Sequence, residues 1–340
     1  MHKKCMIIQG NSIINKIDRN DDIIYVLLAG STEISKIPGI SAAGENSELT
    51  FLTPVLDSEI IYSGKCISYD VIPMTENGIP TPSIITRAAN LVSGVDILIV
   101  DAGFYESPKI PYLHTKLGPA NDPRKQEALT KYDVAVETGR YIGRMLDKKY
   151  KYIVLAESVP GGTTTAYMVL RSLGYDYMTS SSMKSGPDQL KRKVADEAFQ
   201  RYKPVNNAMD SMIQYGDYMM ALATGISGAV RNSTIMYAGG TQMACVYLLD
   251  KIINKSHEKR YIFTTGYIIN DRGDLLSDIA GGNIIYAKTN FSGIQGLDYY
   301  EQGYVKEGTG FGAAFGIAYV INKNENLIYD EIKKVYNSFL

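Results

Sequence analysis

The chain has 340 residues, of which 45% are hydrophobic and 21% charged, with a formal net charge of -1. That balance supports a sizeable core and excludes a disordered polyelectrolyte; it also argues against a general electrostatic affinity for nucleic acid or anionic membrane. Three cysteines (Cys5, Cys66, Cys245) and three histidines (His2, His114, His257) are scattered, so neither a disulfide framework nor a His/Cys metal site is expected. No run approaches the roughly 18 apolar residues that span a bilayer, and "MHKKCMIIQGNSI" lacks a signal-peptide pattern. The expectation is a soluble, cytoplasmic protein.

In chain order, "IIYVLLAG" (23–30) reads as the first buried strand. Residues 31–85, richer in Gly, Pro, Ser and Thr, read as irregular structure with short strands. "VDILIVDAG" (95–103) is a second strand, and 122–149 a helix with Asp122 as cap and Pro123 at its first position. "KYIVLAES" (151–158) is a strand leading into a Thr-capped helix that stops at Gly174, and "QLKRKVADEAF" (189–199) has the pattern of a solvated helix. Two more strands, 233–240 and 259–268, and two more helices, 240–253 and 309–323, follow. Continuous β-branched runs alternating with helices predict an α/β fold, a Rossmann-like and mostly parallel sheet flanked by helices and joined by right-handed crossovers. No internal repeat or low-complexity linker interrupts it.

In such sheets ligands bind beyond the carboxyl ends of the strands. Four strand ends carry Gly or acidic residues there: Gly30 and Glu33; Asp101 and Gly103; Glu157 with Gly161 and Gly162; and Gly239 with Gly240. "ESVPGGTTT" (157–165) has two readings on spacing alone. It is a Gly turn with a Thr N-cap, or a phosphate cradle in which Gly161 and Gly162 admit the anion and Thr163 and Thr164 add donors. With no Lys directly after the glycines, ATP hydrolysis is disfavoured. Glu307, in "YVKEGTGFGAAFGIAY" (304–319), stands at a helix entrance where burial would raise its pKa and make it a general base. The 26 tyrosines read as core packing and lineage composition rather than a stacking surface.

These motifs together resemble the nicotinate-nucleotide–dimethylbenzimidazole phosphoribosyltransferases, closest to their archaeal branch. "ESVPGGTT" is similar to the family's Glu-x-x-x-Gly-x-Thr-Thr at Glu157, Gly161, Thr163 and Thr164. "VDILIVDAG" resembles the strand ending in Asp-x-Gly, here Asp101 and Gly103, and "GPDQLKRKVADEA" (186–198) a Gly…Leu-x-x-Lys segment that puts Lys193 in the family's lysine position. "YAGGTQMA" (237–244) is similar to the Gly239–Gly240 turn, and "EGTGFGAA" (307–314) to the motif carrying the catalytic base. The resemblance covers about residues 95–320.

It implies a Rossmann-like α/β phosphoribosyltransferase domain over 20–325. With it goes a small helical subdomain from non-contiguous segments including 122–149 and 325–340, in a homodimer with active sites near the subunit interface. The implied reaction moves the phosphoribosyl group of nicotinate mononucleotide onto 5,6-dimethylbenzimidazole or a related aromatic base, without cofactor or metal. Glu307 would be the base, Glu157 a second catalytic residue that fixes the ribose or assists the attacking ring, and Gly161, Gly162, Thr163, Thr164, Lys193, Asp101, Gly239 and Gly240 the nucleotide site. Val159, Pro160 and Gly162 depart from the bacterial Gly-x-Gly-Asn, and 27–45 departs from the segment that helps form the acceptor pocket. Two other readings stay open: a hydrolase or transferase of different acceptor, and a nucleotide-binding regulator of the same fold.

Overall fold

The computed structural model describes residues 7–41, 43, 47–71, 74, 78–202, 205–255 and 258–339, so His2, Cys5 and His257 lie outside the described residues. Seven strands form one sheet: β1 (Ile8–Gly10), β2 (Ile23–Ala29), β3 (Asp96–Asp101), β4 (Tyr152–Ser158), β5 (Thr234–Ala238), β6 (Arg260–Thr265) and β7 (Ile284–Ala287). Their order is β1-β7-β6-β5-β4-β2-β3, and every pair is parallel except β1 against β7. The central strands β2, β4 and β5 are buried throughout, which is why they read as unbroken apolar runs.

Successive strand residues point to opposite faces and feed two cores. Ile24, Val26, Leu28, Ile153 and Leu155 belong to one; Tyr25, Leu27, Val154, Ala156 and Phe263 belong to the other. The first core is covered by α3 (Tyr132–Leu146), α4 (Gly162–Ser172), α5 (Asp188–Arg201), α6 (Ala208–Tyr215), α7 (Tyr218–Ala229), α8 (Thr241–Ile253) and α9 (Gly266–Ala280). The second is covered by α1 (Ser47–Ser63), α2 (Ser83–Ser93), α10 (Phe311–Asn322) and α11 (Glu325–Asn337). Winding runs outward from β2 to β3 over one face, then back through β4 to β7 over the other. A change of face with a change of direction is what crossovers of one hand require. The direction reverses between β2 and β4, where a doubly wound sheet opens its binding crevice.

Two expectations need correction. Residues 31–85 contain the 17-residue helix α1 rather than short strands. Its Ser, Thr and Pro residues hide it, yet Ser58 Oγ donates to the Pro54 carbonyl and Ser63 Oγ to that of Glu59. Burial of Val55, Ile60 and Ile61 outweighs the poor local propensity. The helix expected over 122–149 begins only at Tyr132. Asp122 instead turns its carboxylate back onto the Arg124 backbone N–H and guanidinium. The segments 122–149 and 325–340 supply α3 and α11, which pack against different cores on opposite sides of the sheet.

Candidate active site

A cavity of about 450 Å³ opens at the carboxyl ends of β4, β5 and β6. Its walls come from the β4–α4 loop, the β5–α8 turn, the loop ahead of α10, one side of α1 and the stretch 180–183. Two glycines set its backbone. Gly161 caps α4 at φ 77°, and a Cβ there would stand 2.7 Å from Thr32 Oγ1. Gly310 caps α10 at φ 65°, with Ala238 Cβ and Ala156 Cβ only 2.8 and 2.9 Å from where its own Cβ would be. Neither left-handed position accepts a side chain.

Glu157 ends β4 and is only 6% exposed. Its Oε2 accepts from Val159 N at 3.2 Å and Gln242 Nε2 at 3.3 Å. Burial, with the charges of Asp217 and Asp57 nearby, pushes its carboxyl up to about 8. Glu307 accepts from Gly308 N at 3.0 Å and Gly312 N at 3.3 Å. Burial, with the charge of Glu157, also pushes it up to about 8. The Gly239–Gly240 turn lies between them: a methyl on Gly239 would come within 3.7 Å of Glu157 Oε1, and one on Gly240 within 3.7 Å of Glu307 Cβ. Two acids of raised pKa therefore border one desolvated space, the arrangement that general acid–base chemistry near neutral pH uses.

The loop that presents Glu307 is strained. Val305 and Thr309, both β-branched, sit at φ 44° and 50°. Such positions cost about 1–3 kcal/mol each and persist only when the surroundings over-determine them. Here Lys306 Nζ donates to the Ser181 and Met183 carbonyls, Thr265 Oγ1 to the Lys306 carbonyl, and the Tyr25 hydroxyl to that of Thr309.

The expected site residues divide into two groups. Glu157, Gly161, Thr163, Gly240 and Glu307 line the cavity. Gly162, Thr164, Gly239, Asp101 and Lys193 do not. Gly162 packs on the Gln242 side chain, Thr164 is wholly buried in α4, and Gly239 backs onto Met243. Asp101, 2% exposed, is occupied by the Gly103, Phe104 and Thr115 N–H groups and by His114 Nδ1, so it shapes the end of β3. Lys193 is exposed on the outer side of α5. Two residues earlier, more than half a turn around the helix, Lys191 is fully buried and donates to the Thr179 and Ser180 carbonyls. Burial holds it down to about 7. Spacing alone could not tell which lysine of "LKRK" faces inward.

Sequence reasoning also missed Asp57, Asp217, Lys306, Ser158 and Gln242. Asp57 was hidden in the misread helix. Asp217 caps α7 through the Met220 N–H, accepts from Thr165 Oγ1 at 2.6 Å, and is pushed up by burial to about 6. Among the described residues no group of three or more His, Cys, Asp or Glu is placed to hold a metal ion, and no helix is long and apolar enough to cross a membrane.

No protein-family model matches the chain. A UPF0284 protein of Thermoplasma volcanium is 45% identical over 330 residues, covering 96% of this chain and 97% of the relative. The chain belongs to the UPF0284 family. Other UPF0284 proteins are 40% identical in Thermoplasma acidophilum, over 94% of both chains, and 38% identical in Thermococcus gammatolerans, over 93% and 98%. Among solved structures, CobT from Thermus thermophilus superposes with a TM-score of 0.63 at 15% identity, covering 91% of this chain and 84% of that one. A nicotinate-nucleotide-dimethylbenzimidazole phosphoribosyltransferase from the same organism gives 0.60 at 15%, covering 93% and 83%. This UPF0284 chain therefore has the fold of those enzymes, as its motifs implied.

Proposed function

We propose that this UPF0284 protein transfers the phosphoribosyl group of nicotinate mononucleotide to an aromatic base of the dimethylbenzimidazole kind. The observation that carries the reading is the pair Glu157 and Glu307, both pushed up to about 8 in one cavity at the carboxyl edge of the sheet. Glu307 takes the proton from one ring nitrogen of the acceptor. The other nitrogen then attacks C1′ of the ribose from the face opposite the leaving group. The glycosidic C–N bond breaks, and its electron pair returns to the pyridinium ring, releasing nicotinate with little need for acid assistance. Both carboxyls are pushed up to about 8 and the charge of Glu157 raises Glu307, so the pair gives up one proton first. With Glu307 as the ionised member, Glu157 keeps its proton and donates to a ribose oxygen. The first turn of α4, with Gly161 and Thr163, is the proposed phosphate cradle. The Gly162, Thr164 and Thr165 N–H groups already bond the Val159 and Gly161 carbonyls, so the Thr163 N–H and hydroxyl and the helix dipole are what favour an anion. Lys193 would join it only as a distant charge. A homodimer of these subunits is part of the proposal, and sedimentation tests it. The decisive experiment incubates the protein with nicotinate mononucleotide and benzimidazoles and identifies products by mass. Absence of both nicotinate release and a ribosylated base would overturn the proposal and favour a binding-only protein.

A further inference from the structure

Among the polar groups of the cavity, Asp57 takes part in that chemistry only through the charge it sets beside Glu157. Asp57 reaches the cavity from α1, where Leu49, Thr53 and Leu56 otherwise present apolar or weakly polar surface, and it is 4% exposed. A carboxylate is costly in such a place unless its oxygens are hydrogen-bonded. Thr81 Oγ1 donates to Oδ1 at 2.8 Å and Ser158 Oγ to Oδ2 at 2.7 Å. The Thr81 oxygen in turn accepts from Ser83 N at 3.4 Å and Ser83 Oγ at 3.1 Å.

The direction of these bonds fixes what the wall offers a ligand. Burial raises the Asp57 carboxyl, while the hydrogen bonds from Ser158, Thr81 and Ser83 favour its charged form. Once it is ionised, both hydroxyl protons are spent on it, and Ser158 and Asp57 turn only lone pairs toward the cavity. Ser158 and Glu157 point to opposite faces of β4, yet both line the cavity at the strand's end, so this acceptor-only patch faces the same space as the proposed reacting centre. A purely methylated ring placed here would strip water from the patch and give nothing back. A ring bearing an N–H₂ or O–H would satisfy it.

We infer that Asp57 and Ser158 form a specificity patch that selects, as acceptor, an aromatic heterocycle carrying an amino or hydroxyl donor on the edge away from its reacting nitrogen. The inference rests on the transferase reading and narrows its acceptor. Asp57 also ties α1 to the end of β4, so loss of activity alone would not test it; the ratio between acceptors does.

Nicotinate mononucleotide is supplied with equal amounts of 5-aminobenzimidazole and 5,6-dimethylbenzimidazole, and the two products are counted by mass. The native protein should favour the amino acceptor by about tenfold or more, and Asp57→Asn should cut that preference to about threefold or less. Ser158→Ala, a milder change that keeps the carboxylate but takes the donor from its Oδ2, should raise the ratio, and it guards against misfolding of the first variant. Equal use of both acceptors by the native protein, or an unchanged ratio in both variants, overturns the inference. If no acceptor is consumed, the transferase reading fails instead. Calorimetric titration with the two heterocycles then reads the same discrimination as a ratio of Kd values, with equal Kd values again refuting the patch.

Discussion

Replacing Glu157 with Gln should make the protein more stable, and only above a defined pH. In the fold this carboxyl titrates at about 8 against an ordinary 4.5. The native state therefore holds its proton more tightly than the unfolded chain does, and stability drains away as pH rises from 4.5 to 8. The full separation corresponds to a ceiling of about 5 kcal/mol at pH 9, and structural relaxation leaves roughly 2–3 kcal/mol. Gln removes the charge but keeps an oxygen in the Oε2 position, which still accepts from both the Val159 N–H and the Gln242 amide. With each kcal/mol worth about 1.5 °C for a chain this long, Tm should rise by about 3–5 °C at pH 9. At pH 4.5 the variant and native protein should agree within a degree or so, because the native carboxyl is then neutral too. The chain has no Trp, so calorimetry from pH 4.5 to 9 is the suitable assay. A gain independent of pH, or a loss at pH 9, would refute the claim that Glu157 is a desolvated acid.

Glu307→Gln should lower transferase turnover by about a thousandfold or more, with the calorimetric Kd for nicotinate mononucleotide changed by less than about threefold, because only the proton acceptor is lost. In the native protein kcat/KM should climb about tenfold per pH unit below 8 and level off above it, and a flat profile from pH 6 to 9 would exclude a glutamate base of this pKa. Gly310→Ala should destabilise by about 2–4 kcal/mol in denaturant titration, since its Cβ would meet Ala238 and Ala156 and its φ is positive. Lys191→Met should cost about 1–3 kcal/mol by stranding the Thr179 and Ser180 carbonyls, whereas Lys193→Met, on the exposed side of α5, should stay within about 0.5 kcal/mol.

The legible parts of the site were those whose chemistry is local. A Gly at a strand end followed by a Thr-rich helix start marks a turn that only glycine can make, and Gly161 at φ 77° is such a turn. Glu307 stood out because an acid before a run of small residues has no packing role of its own. Asp57 and Asp217 carried no such mark, since a single Asp in a helix or at its cap is ordinary until the fold buries it. Lys193 shows the limit of motif matching. A two-residue shift on a helix changes the face, and packing put Lys191 inside and left Lys193 exposed.

By itself the sequence determined the α/β class and the core strands, because unbroken β-branched runs have no stable place except between two helical layers. It also determined that the strand ends would carry the acids and glycines. Only the tertiary structure decided that residues 47–63 become a helix, since burial of nearly the whole of its middle overrides a weak local preference. It alone brought Asp57, Glu157 and Glu307, up to 250 residues apart in the chain, to one cavity. Their altered acidity follows from that convergence, because desolvation and mutual repulsion depend on distance in space and not along the chain.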